Sequence, residues 1–471
     1  MTKCLLVIAS LIFLSSCHLG PSYDPPEIRS SPSWKTEEAT VEIPSVNNWW
    51  EIFDDPILNE MECYAIQNSP NLYMALEKVM EARAIVGENY ANLFPQLNLN
   101  PNYSDTMFLA QFGAPNGAGF GLSNQPFRFH QFNYALPLDL SYQLDLWGQV
   151  RGQVDSAFYS AQAQAAAYDV ALLTLTSDLA STYFQMSAFD AQLDLLSETM
   201  RVRKEAYEVN QARWDAGLVN YTDVTRAALE YTNAESQYCD AKRLRSMQEN
   251  QLATLIGVSA SQFEMVHRPL IAPPPQVPAG LPSSVLLRRP DIAQAERQMA
   301  SKHALIGVAY AAFFPQVSLT GALGFLSPDL QDFLNWKSRL WKMGASATQN
   351  VFDGGRNRAD LQAAWARFYQ ASGTYQNQVL VAFQEVEDAL SNLEWQAKQY
   401  AYLEKSVEAG KLTTLLSTDR YNRGLVNYLD VVDSERAELE VEVTAIQLLG
   451  QRYLSTIQLI KAIGGGWDST N

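Results

Sequence analysis

The first residue with evident chemistry is a cysteine. Lys3 gives the N-terminus a short positive region, Leu5 to Leu14 is an apolar run of ten residues, and the run closes on Leu14-Ser15-Ser16-Cys17. Such a run is too short to span a bilayer and reads as the core of a signal peptide. Its closing tetrapeptide resembles a bacterial lipobox. On that reading residues 1–16 are removed, and Cys17 opens the mature chain carrying S-diacylglycerol and N-palmitoyl groups. The alternative is an ordinary signal peptide with an incidental cysteine. Four cysteines are present in all. Cys4 leaves with the signal, and two remaining thiols do not make a disulfide scaffold. Cys63 and Cys239 are expected to be small buried hydrophobes, and a bridge between them has no support in the sequence.

Other reactive groupings are missing from the pattern. His18 follows the lipid site, and His130, His267 and His303 are isolated. No glycine-rich phosphate loop, Cys/His cluster or nucleophile elbow occurs, so no enzyme, no metal and no cofactor beyond the covalent lipid is expected. Arg288-Arg289-Pro290-Asp291 suggests a binding site at first sight. Pro290 as the first residue of a helix, with Asp291 facing its positive end, explains it structurally. The net charge of −17 argues against nucleic acid as a partner.

What positions these residues is a duplicated chain. Gly-Leu-Val-Asn-Tyr begins at Gly217 and again at Gly424, 207 positions apart. Asn89-Tyr-Ala-Asn-Leu-Phe-Pro-Gln96 echoes Ala309-Tyr-Ala-Ala-Phe-Phe-Pro-Gln316 at a spacing of 220, so the first copy holds 13 more residues, placed in the uncharged Gly-rich stretch Met107–Phe127. The order read from this is a signal at 1–16, an extended lipidated segment at 17–55, a first repeat at 56–265, a Pro-rich linker at 266–289 and a second repeat at 290–471. No proline occurs from Leu138 to Arg268 or from Asp329 to the end. Breaker-free stretches of this length predict very long helices, one of them over Gln153–Ala216. Gly217 and Gly424 suit the left-handed position that closes a helix, and another helix follows at once. In the last helix Leu429, Val432, Leu439, Val443, Ile446, Tyr453, Ile457 and Ile460 follow a 3-4 spacing, interrupted by Arg436 and Gly450. That is a coiled-coil seam.

After each Phe-Pro-Gln the period changes to two. Strands are predicted at about 96–109, 132–146, 315–326 and 340–352, apolar on one face and polar on the other. Four strands of about ten residues fit part of a membrane barrel. They cannot close one, and lipid does not tolerate open sheet edges, so several chains must contribute. A soluble sheet with one wet face is the alternative on pattern alone.

With these elements placed, the chain resembles the TolC family of outer-membrane channel proteins, in its lipoprotein branch (OprM-like and NodT-like). The match is carried by Gly20-Pro-Ser-Tyr-Asp-Pro25, Asn48-Trp-Trp-Glu-Ile-Phe-Asp-Asp-Pro56, Leu281-Pro-Ser-Ser-Val-Leu-Leu-Arg-Arg-Pro-Asp-Ile292 and Phe313-Phe-Pro-Gln316. Ser22 stands where the family pattern has Asp. The resemblance implies a mixed α and β membrane protein, a homotrimer with a twelve-stranded barrel in the outer membrane and a twelve-helix periplasmic tube. It implies an exit duct for a tripartite pump, with a periplasmic adaptor, an inner-membrane RND-type transporter and outer-membrane lipids as partners. Drugs, metals or other small toxic molecules would pass through it. In the family, aspartates past the second turn form a constricting ring. The matching residues are Asp430 and Asp433, with Tyr421 before the turn. Gly217, Leu218, Val219, Asn220, Gly424, Leu425, Val426 and Asn427 would form the tips that dock the adaptor. Val426 replaces an arginine that some members carry, and Arg226 stands at the position equivalent to Asp433. Asp223 and Asp430 also fit plain stabilisation of a helix start. Two other readings remain: a protein-secretion duct, and a coiled-coil lipoprotein that tethers the outer membrane.

Overall fold

The computed structural model describes residues 19–26, 33–35, 48–110, 127–277 and 288–465. Cys17 lies outside them. The elements run in the order α1 (Pro56–Asn68), α2 (Pro70–Ala91), β1 (Gln96–Leu99), β2 (Asn102–Ala110), β3 (Phe127–Leu144), α3 (Gln149–Asp215), α4 (Tyr221–Leu255), α5 (Pro290–Ala311), β4 (Gln316–Ser327), β5 (Arg339–Thr348), α6 (Arg356–Asn422) and α7 (Tyr428–Ala462). The duplication is visible in the lengths: α3 and α6 have 67 residues each, and α4 and α7 have 35 each. At 1.5 Å per residue the long pair would each measure about 100 Å.

The chain divides into two compact units that cut across the sequence repeats. Of the described residues, one holds those within 80–162 and 297–372 and those before 26; the other holds those within 26–79, 163–296 and 373–465.

The first unit contains the sheet. It is antiparallel throughout: β1 and β2 both pair with β3, β3 with β4, and β4 with β5. Four strand positions result, because β1 and β2 are one strand broken at Asn100-Pro101. Pairing to β3 keeps the same register on both sides of the break, and Asn100 still donates its backbone N–H to the Pro137 carbonyl at 3.1 Å. The predicted boundaries shift modestly. β3 starts at Phe127, and β5 stops at Thr348, leaving Val351 and Phe352 almost fully exposed.

Register fixes the two faces. Leu97, Leu99 and Tyr103 share a face with Leu140, Leu138 and Tyr134, with Leu319 and Leu323, and with Met343 and Trp341. All but Leu140, Tyr134 and Leu319 stand out into solvent in the single chain. The opposite face carries Asn98, Ser104, Asp139, Ser318, Thr320 and Ser346. The expected alternation fails where Leu326 and Leu340 lie on the polar face, and more fully beyond Tyr103 and Tyr134. Asp105 and His130, 3.0 Å apart, lie on the apolar face, while Phe108 and Phe129 stack at 5.4 Å on the polar one. The reason is positional: β4 ends opposite Tyr134, so beyond Tyr103 and Tyr134 the β2–β3 hairpin runs on without the rest of the sheet.

Helix starts around the sheet are pinned by side chains. Asp145 accepts from the backbone N–H of Val150 and Arg151, and Asp353 from those of Gly355 and Asn357. Trp147 stacks on Phe314, which gives the aromatic of the Phe-Pro-Gln corner a packing role, and donates to the Pro315 carbonyl at 2.8 Å. Ser156 and Ser301 meet at 3.0 Å between α3 and α5.

The second unit is helical around an apolar core in which Leu58, Leu179, Tyr183, Met186, Leu252 and Ile457 are almost fully buried. The Trp49-Trp50 stretch is a short 3-10 helix. Trp49 donates to Thr176 at 3.2 Å, and Asp55 caps α1 while accepting from the Tyr183 hydroxyl at 2.7 Å. Both cysteines depart from expectation: Cys63 and Cys239 are free and exposed. On α1 the buried residues are Leu58, Met61, Glu62 and Ala65, a stripe at helical spacing that leaves Cys63 outside it. On α4 the buried stripe through Val224, Ala227, Glu230, Ala234 and Ala241 likewise misses Cys239.

The seam on α7 is present but wider than a two-helix coiled coil. Val432, Leu439, Ile457 and Ile460 are buried, Val443, Ile446 and Tyr453 are half-buried, and Leu429 is exposed. Leu448, Leu449 and Leu459 are buried as well. One side of α7 packs on α3 and α4, and another on Val386 and Ala389 of α6. Gly450, an exception in the heptad, is explained by a close approach: a Cβ there would sit 3.0 Å from that of Ala188.

Candidate functional site: the helix turns and the clasp beside them

The two repeated corners adopt one geometry. Gly217 and Gly424 both have φ +74°. Gly217 donates to the Trp214 carbonyl and Leu218 to that of Arg213, each at 2.8 Å; Gly424 and Leu425 repeat this with Tyr421 and Arg420 at 2.9 Å. The double bond satisfies carbonyls a helix end leaves open, and the positive φ is why glycine stands there. Leu218 and Leu425 are 75% and 71% exposed; Val219 and Val426 are half-buried, and Asn220 and Asn427 are exposed.

The helix starts after the corners differ. Asn427 accepts from the Asp430 N–H, and Asp430 accepts from the Asn427 N–H, both at 3.2 Å, forming a capping box. Asn220 makes no side-chain cap, and Asp223 instead faces Arg226 at 3.8 Å. Asp433 is exposed, with Arg436 4.0 Å away. Asp430 therefore has a structural role as part of the helix cap, whereas Asp433 is left facing solvent.

Tyr421 is half-buried and spans two helices. Arg213 of α3 donates to its hydroxyl at 3.2 Å, and that hydroxyl donates to the Asn210 side chain at 3.3 Å. The Arg213 guanidinium lies 5.5 Å from the ring centre. Tyr428, buried beside Ala227, Val431 and Val432, packs against Tyr421 at 5.4 Å. Its hydroxyl is pushed well above the ordinary tyrosine range, first by burial and then by Glu435.

Deeper between the helices lies a charge cluster that the motif search missed. Glu230 of α4 is 3% exposed and Arg203 of α3 4%. Arg203 meets one oxygen of Glu230 at 3.2 Å and donates to its carbonyl at 3.1 Å. Arg436 of α7 donates to the other oxygen, through Nε at 2.9 Å and more closely through Nη2. Arg436 was one of the two exceptions in the heptad, and that break in the pattern was the available signal.

The Arg-Arg-Pro-Asp stretch has a structural role. Pro290 is the first residue of α5. Arg289 clasps Asp291 at 2.6 Å and donates to the Ala462 carbonyl at 2.9 Å, while Gln378 donates to Asp291 at 2.7 Å. The histidines are separate: His130 on Asp105, His267 near Asp190 and Asp194, and His303 beside the Tyr23 and Phe368 rings. Among the described residues, no group of three or more His, Cys, Asp or Glu is placed to hold a metal ion.

Two matched helix hairpins, together with an antiparallel sheet of four strand positions, are a specific set of elements. Residues 64–258 and 281–465 each match the profile described as "Outer membrane efflux protein". The chain belongs to the outer membrane efflux protein family. Among curated members it is 29% identical to the outer membrane protein OprJ of Pseudomonas aeruginosa, covering 97% of this chain and 94% of that one. It is 29% identical to the solvent efflux pump outer membrane protein SrpC of Pseudomonas putida, at 98% of each. It is 28% identical to the cation efflux system protein CusC of Escherichia coli, at 99% and 100%. Among solved structures, the outer-membrane channel OprN superposes with a TM-score of 0.85 at 27% identity, over 96% of this chain and 100% of that one. The Campylobacter jejuni CmeC outer membrane channel gives 0.84 at 26%, over 97% and 96%. The open state of the Neisseria gonorrhoeae MtrE channel gives 0.81 at 29%, over 96% and 98%. Efflux proteins of this family are passive outer-membrane channels, not enzymes, and the outer membrane is where this member resides.

Proposed function

We propose that the protein is the exit duct of a tripartite efflux system, passing drugs or other small toxic molecules from an inner-membrane RND-type transporter and a periplasmic adaptor to the exterior. Full-length similarity to efflux-pump outer membrane proteins carries this reading. The working unit is a homotrimer. Among the described residues, both edges of the sheet, β1/β2 and β5, are unpaired, which a lipid environment does not tolerate. Four strand positions from each of three chains give a closed twelve-stranded barrel. Cys17 carries the diacylglycerol and palmitoyl groups that anchor the chain to the membrane.

On this reading the gate lies at the second turn. Three copies of Asp433 and Asp430 around one axis would form negative rings that favour cations, with Tyr421 holding the end of α6 to α3. The exposed Leu218 and Leu425, with Asn220 and Asn427 beside them, give the adaptor two similar docking tips per chain. Single-channel conductance in a planar bilayer tests this. Wild type should give small cation-selective currents, and Asp430→Ala/Asp433→Ala larger ones with less selectivity. Absence of current from folded protein in both forms would refute the duct. Intact mass of the same preparation, against Cys17→Ala, reads the lipid.

A further inference from the structure

The polar face of the sheet changes character along its length. α2, α3, α5 and α6 all join the strands at the end that holds Gln96, Leu144, Gln316 and Thr348, so the opposite end is the outer one. On the helix side this face carries Asn98, Asp139, Ser318, Thr320 and Ser346, with Lys342 level with Asp139. Further out it carries Leu340 and then Leu326. On the β2–β3 hairpin two polar rungs, Ser104–Asn133 and Thr106–Gln131, are followed by Phe108–Phe129. Below Leu340 this face has no large apolar residue among the described strands.

The two phenylalanine rings stack at 5.4 Å between centres and 22° between planes, and the residues stay 44% and 41% exposed. A cross-strand aromatic pair steadies a hairpin on whichever face it stands. Stability of the hairpin therefore does not dictate the choice of face. The outward face beside the pair is mixed, with Asp105 and His130 meeting at 3.0 Å next to Met107 and Phe132. The inward face is the one that leaving solutes pass. A hydrated solute finds amides, hydroxyls and charges along that wall, whereas an apolar ring finds no partner of its own kind before Leu340, Leu326 and the phenylalanine pair.

We propose that Phe108 and Phe129, with Leu326 and Leu340 below them, form a stacking subsite at the outer mouth of the duct, one per chain, that takes planar aromatic solutes on their way out. This deepens the duct reading and rests on it, including the inward orientation of the polar face. The site is weak by construction. One added ring contact on an exposed pair corresponds to about a two- to tenfold preference over a solute of equal charge without a ring. A duct needs no more, since a solute held tightly at the exit would obstruct it.

The test is block of the planar-bilayer current of the full chain by N-methylquinolinium, a flat aromatic cation, and by tetraethylammonium, an aliphatic one of the same charge. Each is added from the side that the outer strand ends face. Wild type should be half-blocked by N-methylquinolinium at a concentration about two- to tenfold below that for tetraethylammonium. Phe108→Leu/Phe129→Leu keeps apolar side chains but no ring. It should bring the two cations level, with an unchanged melting profile and unchanged current in salt alone. Phe108→Leu and Phe129→Leu singly should each lower the preference, which keeps the comparison decisive if the double variant melts early. Phe108→Tyr/Phe129→Tyr should retain the preference. Asp105→Asn loosens the pair on the other face of the hairpin and should retain it too. Equal block by the two cations in wild type, or a preference that survives in the leucine variants, would overturn the subsite. So would its loss in Asp105→Asn, since the shape of the hairpin and not the rings would then decide. No current from folded wild type would instead defeat the duct reading, and this inference with it.

Discussion

Glu62 lies on the buried stripe of α1, fully enclosed, and neither carboxylate oxygen has a hydrogen-bond partner among the described residues. Burial pushes its carboxyl well above the ordinary value. The folded state therefore holds its proton to a higher pH than the unfolded state does. Below the unfolded value both states are protonated, and Glu62 costs nothing through ionisation. As pH rises past that value towards the raised folded one, stability is lost. Glu62→Gln should raise the melting temperature at pH 8 and change it little at pH 4, with a gain of about 1–3 kcal/mol at the higher pH. A gain that does not depend on pH would show the effect to be packing. Nothing in the local pattern marks this residue, because one acidic letter in an amphipathic helix looks like a solvated one. Cys63, its neighbour, was misjudged for the complementary reason: composition ranks cysteine as buried, but the phase of the helix decides. Asp430 was legible as a helix-start residue, and the capping box with Asn427 bears out that part of its reading.

At the scale of elements, the sequence was most informative where a backbone conformation demands one residue type. Gly217 and Gly424 were placed by their letters alone, and both show the same positive φ. Proline-free runs pointed to the long helices, and the one given bounds, Gln153–Ala216, is found at Gln149–Asp215. The strands were harder, since Pro137 lies inside β3 and has no N–H to give to a neighbour. Gly324 shows how the sheet accommodates it. Gly324 pairs with Pro137, and a Cβ on Gly324 would collide with the Leu136 carbonyl and approach the Pro137 Cα to 2.8 Å. Gly324→Ala should weaken the β3–β4 pairing by about 1–3 kcal/mol. The check is the temperature at which the folded band disappears on a heat-modifiable gel; a wild-type transition would show that the two strands can part slightly at no cost. The polarity switch at Asp105 and Phe108 was not readable, because a period of two persists through it and only the end of β4 shows where the face changes environment.

For the whole molecule, one chain leaves too much apolar surface uncovered to be the finished object. On α6, Trp395 is 62% exposed, Tyr402 71% and Leu415 66%, and Trp395, Tyr402, Ala409 and Leu416 follow one another at sevens. Such a stripe suits a neighbouring helix. If the proposed trimer is held along this stripe, Tyr402→Glu should shift detergent-solubilised protein towards monomer by light scattering; an oligomer that persists unchanged would place the contact on another face. The sequence alone determined the duplication, the long helices, their turns, the alternating strands and, through family motifs, the class of protein. These are set by local periodicity and by residues such as glycine and proline whose constraints act within a few positions. The tertiary structure decided which charges meet. Arg436 and Glu230 are 206 positions apart, Arg213 and Tyr421 208, and nothing in either neighbourhood names its partner. Such pairs exist because two repeats fold against each other, and close approach in space between distant stretches leaves no local pattern to read.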